Sequence, residues 1–244
     1  MSDGSAIEWC DTTWNPMTGC TAVSPGCDHC YARRMALRLQ AMGVDKYRDG
    51  FRPECHMAEL SRPYHWRKAR KVFVCSMGDL FHEDMPDNFI CDVFRAMKEN
   101  PRHTFQILTK RALRMQSFIN RYYQNRAPEN VWLGVSVEDA EHQDRVTPLV
   151  GVHAPVRFVS FEPLLGPIPH LPWRGLLNWV IVGCESGPGR RPMDQDWVRS
   201  IRDDCIAADS AAPCIPFFLK QAEVGGRVVK MPELDGRQWA EVPK

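Results

Sequence analysis

Short apolar runs alternate with helical stretches along the chain, and nearly every run ends on polar residues. Apolar runs of four to eight residues read as buried strands, and apolar positions three and four apart read as helices. The first run lies around Ile7-Glu-Trp-Cys10-Asp-Thr-Thr-Trp14. A Gly/Pro-rich loop with Cys20 and Ser24-Pro-Gly26 follows, then helical spacing from Cys27 through Leu39 that Gly43 ends. On the first turn of such a helix Cys27 and Cys30 face the same way. Further strand-like runs are Lys71–Cys75, Thr104–Leu108, Asn130–Glu138, Val156–Pro163, Trp179–Gly187 and Pro216–Gln221. Between them the spacing predicts a helix Asn88–Asn100 capped by Asp87, one reaching Tyr123, a short one within Asp139–Leu149 and one around Trp197–Ala208. Arg227–Pro243, with a turn at Leu234-Asp-Gly236, reads as a hairpin.

Strands alternating with helices imply βαβ units and a parallel sheet. Nearly all-apolar strands are those covered on both faces. Six or seven such units favour an α/β fold of the full or partial (β/α) TIM-like barrel type, with a C-terminal extension, as one domain over 1–244. No G-x-G-x-x-G follows the first strand, which argues against an open dinucleotide-binding sheet. Polar residues stand at the downstream strand ends as Ser76/Asp79, Thr109/Lys110, Ser136/Glu138, Ser160/Glu162, Glu185/Ser186 and Lys220/Gln221. In a barrel those ends meet at one face, where active sites lie, and the cysteine loop opens onto it.

Composition narrows the class. The 244 residues are 44% hydrophobic and 25% charged, with a net charge of +1, so no global field favours a nucleic acid or a membrane. No apolar run is long enough for a bilayer span, and the N-terminus lacks the pattern of a signal peptide. Ten cysteines in such a chain point to metal binding or chemistry more than to disulfides, and to a cytoplasmic location.

Cys20, Cys27 and Cys30 are spaced C-x6-C-x2-C, a three-thiol group that leaves one metal position open. Zinc would take a fourth ligand from His29, His56, His65 or His82, or a water. Iron–sulfur clusters are held by thiolates. The other seven cysteines lie singly, several in apolar runs, and read as buried small hydrophobes. Gly78 and Asp79 offer close backbone approach and a carboxylate for an ammonium group, or else a turn and a helix cap. Ser136 and Glu138 alternate on one side of a strand, which suits a ribose or a strand-end salt bridge. Gly183 and Glu185 begin a Gly-rich stretch fit for an adenine or a phosphate. Arg33, Arg34 and Arg38 read as a solvated helix face, and Arg190-Arg191 as an anion site. Tyr47, Arg48, Arg52, Tyr64, Trp66, Arg67 and Lys68 mix cations with rings, as nucleic-acid surfaces do, or form a solvated basic loop.

Across most of its length the chain closely resembles a phage-associated bacterial family of poorly defined function, known for a three-cysteine motif. The residues that carry the likeness include Thr13-Trp-Asn-Pro16, Ser24-Pro-Gly-Cys27, Ser76-Met-Gly-Asp-Leu-Phe-His82, Phe105-Gln-Ile-Leu-Thr-Lys-Arg111, Leu133-Gly-Val-Ser-Val-Glu138 and Glu162-Pro-Leu-Leu-Gly-Pro167. More distantly it is similar to radical S-adenosylmethionine (SAM) enzymes. That similarity implies a [4Fe–4S] cluster on Cys20, Cys27 and Cys30, and SAM as the second cofactor. It implies SAM contacts from Gly78-Asp79 to the methionine amine, from Ser136 and Glu138 to the ribose, and from the Val180–Glu185 segment, with Gly183 and Glu185, to the adenine. It also implies a reductant protein as partner, reductive SAM cleavage, and hydrogen abstraction from a substrate that is not legible, with nucleic acid a candidate. The cysteine spacing is longer than that superfamily's usual C-x3-C-x2-C, His29 replaces a common aromatic, and Asp79 stands where Glu is typical. The other readings of the same thiols are a zinc-binding protein or hydrolase, and a non-catalytic iron–sulfur protein.

Overall fold

The computed structural model describes Ser5, residues 7–207 and residues 213–243. Its core is a sheet of eight strands hydrogen-bonded in chain order: β1 (Thr12–Trp14), β2 (Lys71–Val74), β3 (Thr104–Thr109), β4 (Val131–Ser136), β5 (Arg157–Phe161), β6 (Trp179–Gly183), β7 (Phe217–Val224) and β8 (Arg227–Lys230). The first seven are parallel, and β8 returns antiparallel through Gly225-Gly226, both at positive φ as a tight hairpin requires. Crossovers carry α1 (Tyr31–Ala41), α2 (Asp87–Lys98), α3 (Ala112–Tyr123), α4 (Val146–Val150) and α5 (Gln195–Ile206). Among the described residues β1 and β8 do not pair, so the sheet curls as a partial TIM-like barrel with a C-terminal extension. No described helix is long and apolar enough to cross a membrane.

Two cores follow from the period-two alternation of the strands. On the outer face Val72, Val74, Phe105, Ile107, Leu133 and Val182 join one apolar cluster with the helices. On the inner face Phe73, Trp132, Phe158, Trp179, Ile181 and Phe218 form a second cluster. Trp9 lies edge-on to Phe73 (4.7 Å) and Trp179 (5.8 Å) and belongs to the same cluster. Gly134 leaves room for Phe158, whose ring a Cβ there would meet at 2.4 Å.

The inner positions change character along each strand. Phe73 gives way to Cys75, Trp132 to Gly134 and Ser136, Phe158 to Ser160 and Glu162, and Phe218 to Lys220. Bulk therefore fills the upstream half of the barrel, while small and polar residues leave a cavity at the downstream strand ends. That gradient is what positions the site.

Several local expectations are corrected. Residues 7–11 form a turn ahead of β1 rather than strand. The helix after the cysteine loop begins at Tyr31, four residues later than the spacing predicts, because Pro25–Cys27 forms a separate 3-10 turn and Cys30 is the residue that caps α1. Cys27 and Cys30 thus do not share a first α-helical turn. Asp87 is the first residue of α2 rather than its cap, and its carboxylate accepts from Arg114 (3.0 Å) and Tyr122 (3.0 Å). The last predicted helix ends at Ile206, and Ala208 lies outside the described residues. The Asp235-Gly236 turn does join a short hairpin, Glu233–Leu234 to Arg237–Gln238.

Candidate metal centre

The loop from β1 to α1 is shaped by two glycines. Gly19, at φ +87°, passes the Arg52 backbone so closely that a Cβ would lie 2.1 Å from the carbonyl oxygen. Gly19 also bridges Gly78, where a Cβ would meet Met17 Sδ at 2.5 Å and the Gly19 carbonyl at 2.8 Å. The small residue at 78 thus serves a backbone contact inside the chain. Beyond Gly19, the Cys20 amide donates to Phe51 O (3.2 Å), Cys27 closes the 3-10 turn on Ser24 O (2.9 Å), and the Cys30 amide donates to Cys27 O (3.3 Å).

All three thiols, free and partly exposed, border one cavity of about 390 Å³ at the downstream strand ends. Gly78, Asp79, Ser136 and Glu185 border it too, as do Ser160, Glu162 and Lys220. Gly183 and Glu138 do not. Gly183 packs behind Glu162 and Gln221, where a Cβ would lie 3.1 Å and 3.4 Å from them. Glu138 is fully buried behind the cysteine loop.

The strand-end acids bind mainly the protein itself. Glu138 accepts from the Ser24 hydroxyl (2.6 Å), from Lys110 Nζ, and from Arg145 Nη1 (2.7 Å). Burial pushes its pKa up, but Lys110, the Ser24 bond and Arg145 outweigh burial and hold it below the ordinary value. Gly26 lies so close that a Cβ would fall 2.4 Å from Glu138 Cγ. Asp79 accepts on one oxygen from Thr109 Oγ1 (2.7 Å) and the Phe81 amide (3.0 Å), and on the other from the Lys110 amide (3.2 Å) and Arg111 Nη1 (3.2 Å). Four donors occupy its four favourable acceptor positions. Glu185 takes the Arg191 amide (2.9 Å) and guanidinium (2.5 Å), and the same guanidinium reaches Pro25 O (2.8 Å) and Asp28 (3.3 Å) on the cysteine loop.

Arg111 is the functional-site residue that strand-end reasoning passed over in favour of Lys110. Its guanidinium donates to Cys20 Sγ (3.3 Å), Asp79 (3.2 Å), Thr21 Oγ1 (2.9 Å) and Glu83 (2.8 Å). Burial alone would lower its pKa, but Asp79, Cys20 and Glu83 raise it, so the charge is fixed. Burial, reinforced by Asp79 and opposed by Arg111, pushes the Cys20 thiol up to about 11. A metal bound there would have to displace that proton. Its signal in the sequence was only a second base after a strand-end threonine. Cys75 and Cys184 also border the cavity, although their isolation in apolar runs marked them as mere core.

Two of the histidines offered as a fourth zinc ligand have other partners. His82 bonds Thr21 Oγ1 (2.9 Å) and His56 bonds Thr18 Oγ1 (2.7 Å). His29 borders the cavity. Among the described residues no three His, Cys, Asp or Glu side chains are drawn together about a single ion. Thiolates around a single tetrahedral zinc converge to about 3.8 Å of one another, given Zn–S bonds of about 2.3 Å. Ligands of a multi-iron cluster bind different irons, so they converge on the cluster at a wider spacing than ligands of one zinc. An all-thiol donor set facing one cavity fits such a cluster.

Two of the three rings in the basic-aromatic stretch are turned inward. Tyr47 and Trp66 are buried, Trp66 edge-on to His103 (5.4 Å), and the Tyr64 hydroxyl is held by Glu99 (2.6 Å). Tyr64 is exposed, so the stretch offers one ring rather than a row of stacking platforms.

Residues 4–243 match the family described as "Protein of unknown function (DUF5131)". The chain belongs to that family. No curated protein matches it in sequence. Among solved structures, a spore photoproduct lyase variant with bound AdoMet and dinucleoside spore photoproduct is similar at 10% identity and a TM-score of 0.44 over 88% of this family member. The chain spans 65% of that protein's length.

Proposed function

We propose that this DUF5131 protein is a radical SAM-like enzyme that holds a [4Fe–4S] cluster through Cys20, Cys27 and Cys30 and binds SAM in the adjoining cavity. The observation that carries the reading is the placement of three free thiols from one loop on a single cavity at the downstream end of a parallel partial barrel. With cluster and SAM bound, the site would supply one-electron reductive cleavage of SAM to methionine and a 5′-deoxyadenosyl radical for hydrogen abstraction. The cavity volume lies within the usual range for small-molecule sites, about 300–1,000 Å³.

The chain's own groups divide into two tasks. Ser136 and Ser160 stand on the cavity wall, where hydroxyls suit a ribose, and the Glu185-Ser186 edge suits an adenine. Asp79, Glu138 and Arg111 act through the loop: they hold the thiols in place from the ends of β2, β4 and β3. The apolar wall, including Leu108 and Phe73, keeps bulk water from the reacting centre.

Anaerobic reconstitution with iron and sulfide tests the reading. A band near 400 nm (about that wavelength is typical of thiolate-held clusters) is expected, lost in a Cys20→Ala/Cys27→Ala/Cys30→Ala variant. Reduction in the presence of SAM is expected to yield 5′-deoxyadenosine. A colourless protein that retains one zinc per chain would replace this reading with the zinc one, and a coloured protein that never cleaves SAM would leave a non-catalytic cluster protein.

A further inference from the structure

The charged groups around the barrel cavity are matched inside the chain. Four carboxylates and four lysine or arginine side chains border it, and each has a partner of opposite charge, as Glu162 has in Lys220 (2.5 Å) and Glu8 in Lys230 (2.6 Å). These side chains therefore leave no surplus charge for a phosphate, a carboxylate or an ammonium group.

Hydrogen bonding is not matched so completely. Among the described residues, the buried side-chain nitrogens and oxygens that meet no hydrogen-bond partner include two from the cavity wall, Glu8 Oε2 and Trp9 Nε1. They belong to consecutive residues of the turn ahead of β1, and Trp9 is only 4% exposed. Glu8 gives its other oxygen to Lys230, the last residue of β8. The two atoms thus stand beside the seam where β1 and β8 do not pair, on strands other than those that carry Ser136 and Ser160. A buried donor or acceptor without a partner costs its whole desolvation penalty, so such groups are rare and each asks for an explanation.

We propose that Glu8 and Trp9 recognise the substrate, and that they take a neutral cyclic amide, a lactam, whose N–H donates to Glu8 Oε2 and whose carbonyl accepts from Trp9 Nε1. The proposal rests on the function proposed above and names the class of its substrate. A carboxylate is an acceptor only, and an indole N–H is a donor only, so a ligand that satisfies both has to donate and accept. Because Lys230 already neutralises Glu8, that ligand need carry no charge. In an open-chain secondary amide the N–H and the carbonyl point opposite ways across a trans bond, whereas in a ring they share one edge. An edge of that kind can meet two neighbouring residues on one wall. The apolar side chains of Ile7, Phe73 and Leu108 on the same cavity suit the rest of the ring.

The test titrates the full chain with the lactam pyrrolidone, before and after reconstitution, and follows the tryptophan indole N–H signals by heteronuclear NMR. The signal missing from Trp9→Phe identifies Trp9, and pyrrolidone is expected to move it. N-methylpyrrolidone, which lacks the N–H, and N-methylacetamide, which is trans, should bind at least about tenfold more weakly, as loss of a bond to a charged acceptor predicts. Inorganic phosphate should leave the signal in place. Glu8→Gln, with Trp9 still present to report, should weaken pyrrolidone by a similar factor; the probe series in the wild type gives the same answer without any variant. A Trp9 signal that pyrrolidone does not move overturns the proposal, since its N–H is then held within the chain, by a ring face or by the buried Gln106 amide in register with Phe73. A stronger response to phosphate or to N-methylacetamide than to pyrrolidone overturns the ligand class. The cluster is judged separately. If SAM is cleaved while the Trp9 signal stays put, only the recognition site fails; if no cluster forms and pyrrolidone still binds, only the enzyme reading fails.

Discussion

The Ser24 hydroxyl donates a 2.6 Å hydrogen bond to Glu138 across 114 positions of sequence, and this bond fixes the cysteine loop to the end of β4. Ser24→Ala removes a bond to a charged acceptor, which is expected to cost about 1.5–3 kcal/mol. Glu138→Gln keeps the shape but leaves Lys110 and Arg145 facing no counter-charge, at a cost of about 3–5 kcal/mol. Both variants should bind less than the wild-type complement of iron on reconstitution, because the loop that presents Cys27 is no longer held. Thermal unfolding and iron stoichiometry check this. Wild-type values of both quantities in both variants would show the bond to be incidental.

Gly26 presses on the same carboxylate. A Cβ at 26 would lie 2.4 Å from Glu138 Cγ and 2.5 Å from Oε1, and three donors prevent that side chain from yielding. Gly26→Ala should destabilise by about 1–3 kcal/mol, as overpacking does. The penalty should shrink when Glu138 is shortened to Ala, giving a coupling above about 0.5 kcal/mol in a double-mutant cycle. Strict additivity of the two substitutions would refute the contact.

Much of this arrangement was legible in the sequence, and the part that was not is mostly non-local. The alternation of apolar runs and helical spacing located β2, β3, β6 and β7 to within a few residues, since burial on both faces leaves a direct mark on composition. The cysteine loop and the polar strand ends were visible for the same reason. The role of the strand-end acids was not. Nothing near Glu138 in sequence announces Ser24 or Gly26, and nothing near Asp79 announces Thr109 and Arg111. Their partners arrive through the curling of the sheet, which pairs Glu138 with Ser24 on the loop and Asp79 with Thr109 and Arg111. The first helix was placed too early because Pro25-Gly26 satisfies helical spacing while the backbone makes a 3-10 turn.

Stability should depend on acid pH through Glu138. Its pKa in the folded state lies below the ordinary 4.5, because Lys110, Ser24 and Arg145 together outweigh burial. Below the ordinary value the unfolded chain binds a proton that the folded chain still refuses. The contribution of Glu138 is therefore complete above about pH 4.5 and is lost as pH falls through its lower folded value. Comparing the unfolding temperatures of wild type and Glu138→Gln between about pH 7 and pH 3 isolates this contribution. The gap between them should be constant near neutrality and narrow in acid; a gap that stays constant throughout would mean that Glu138 is not ionised by its neighbours in the manner described.

Arg111 gives the test that separates holding the loop from tuning the centre. One guanidinium serves Cys20, Asp79, Thr21 and Glu83 through a fixed fork of donors, which a lysine cannot reproduce. Arg111→Lys keeps the charge and loses the geometry, so it should lower the unfolding temperature and the iron content together. Arg111→Gln loses the charge as well. In whatever fraction of the Gln variant is loaded, the reduction potential should be more negative than in wild type. A donor and a positive charge close to a ligand sulfur favour the reduced, more anionic centre, and potentials of thiolate-held clusters respond to both. Spectroelectrochemical titration of the two variants reads this directly. A purely structural Arg111 would change loading but leave the potential of the loaded fraction at the wild-type value, whereas an Arg111 that acts on Cys20 Sγ must move it.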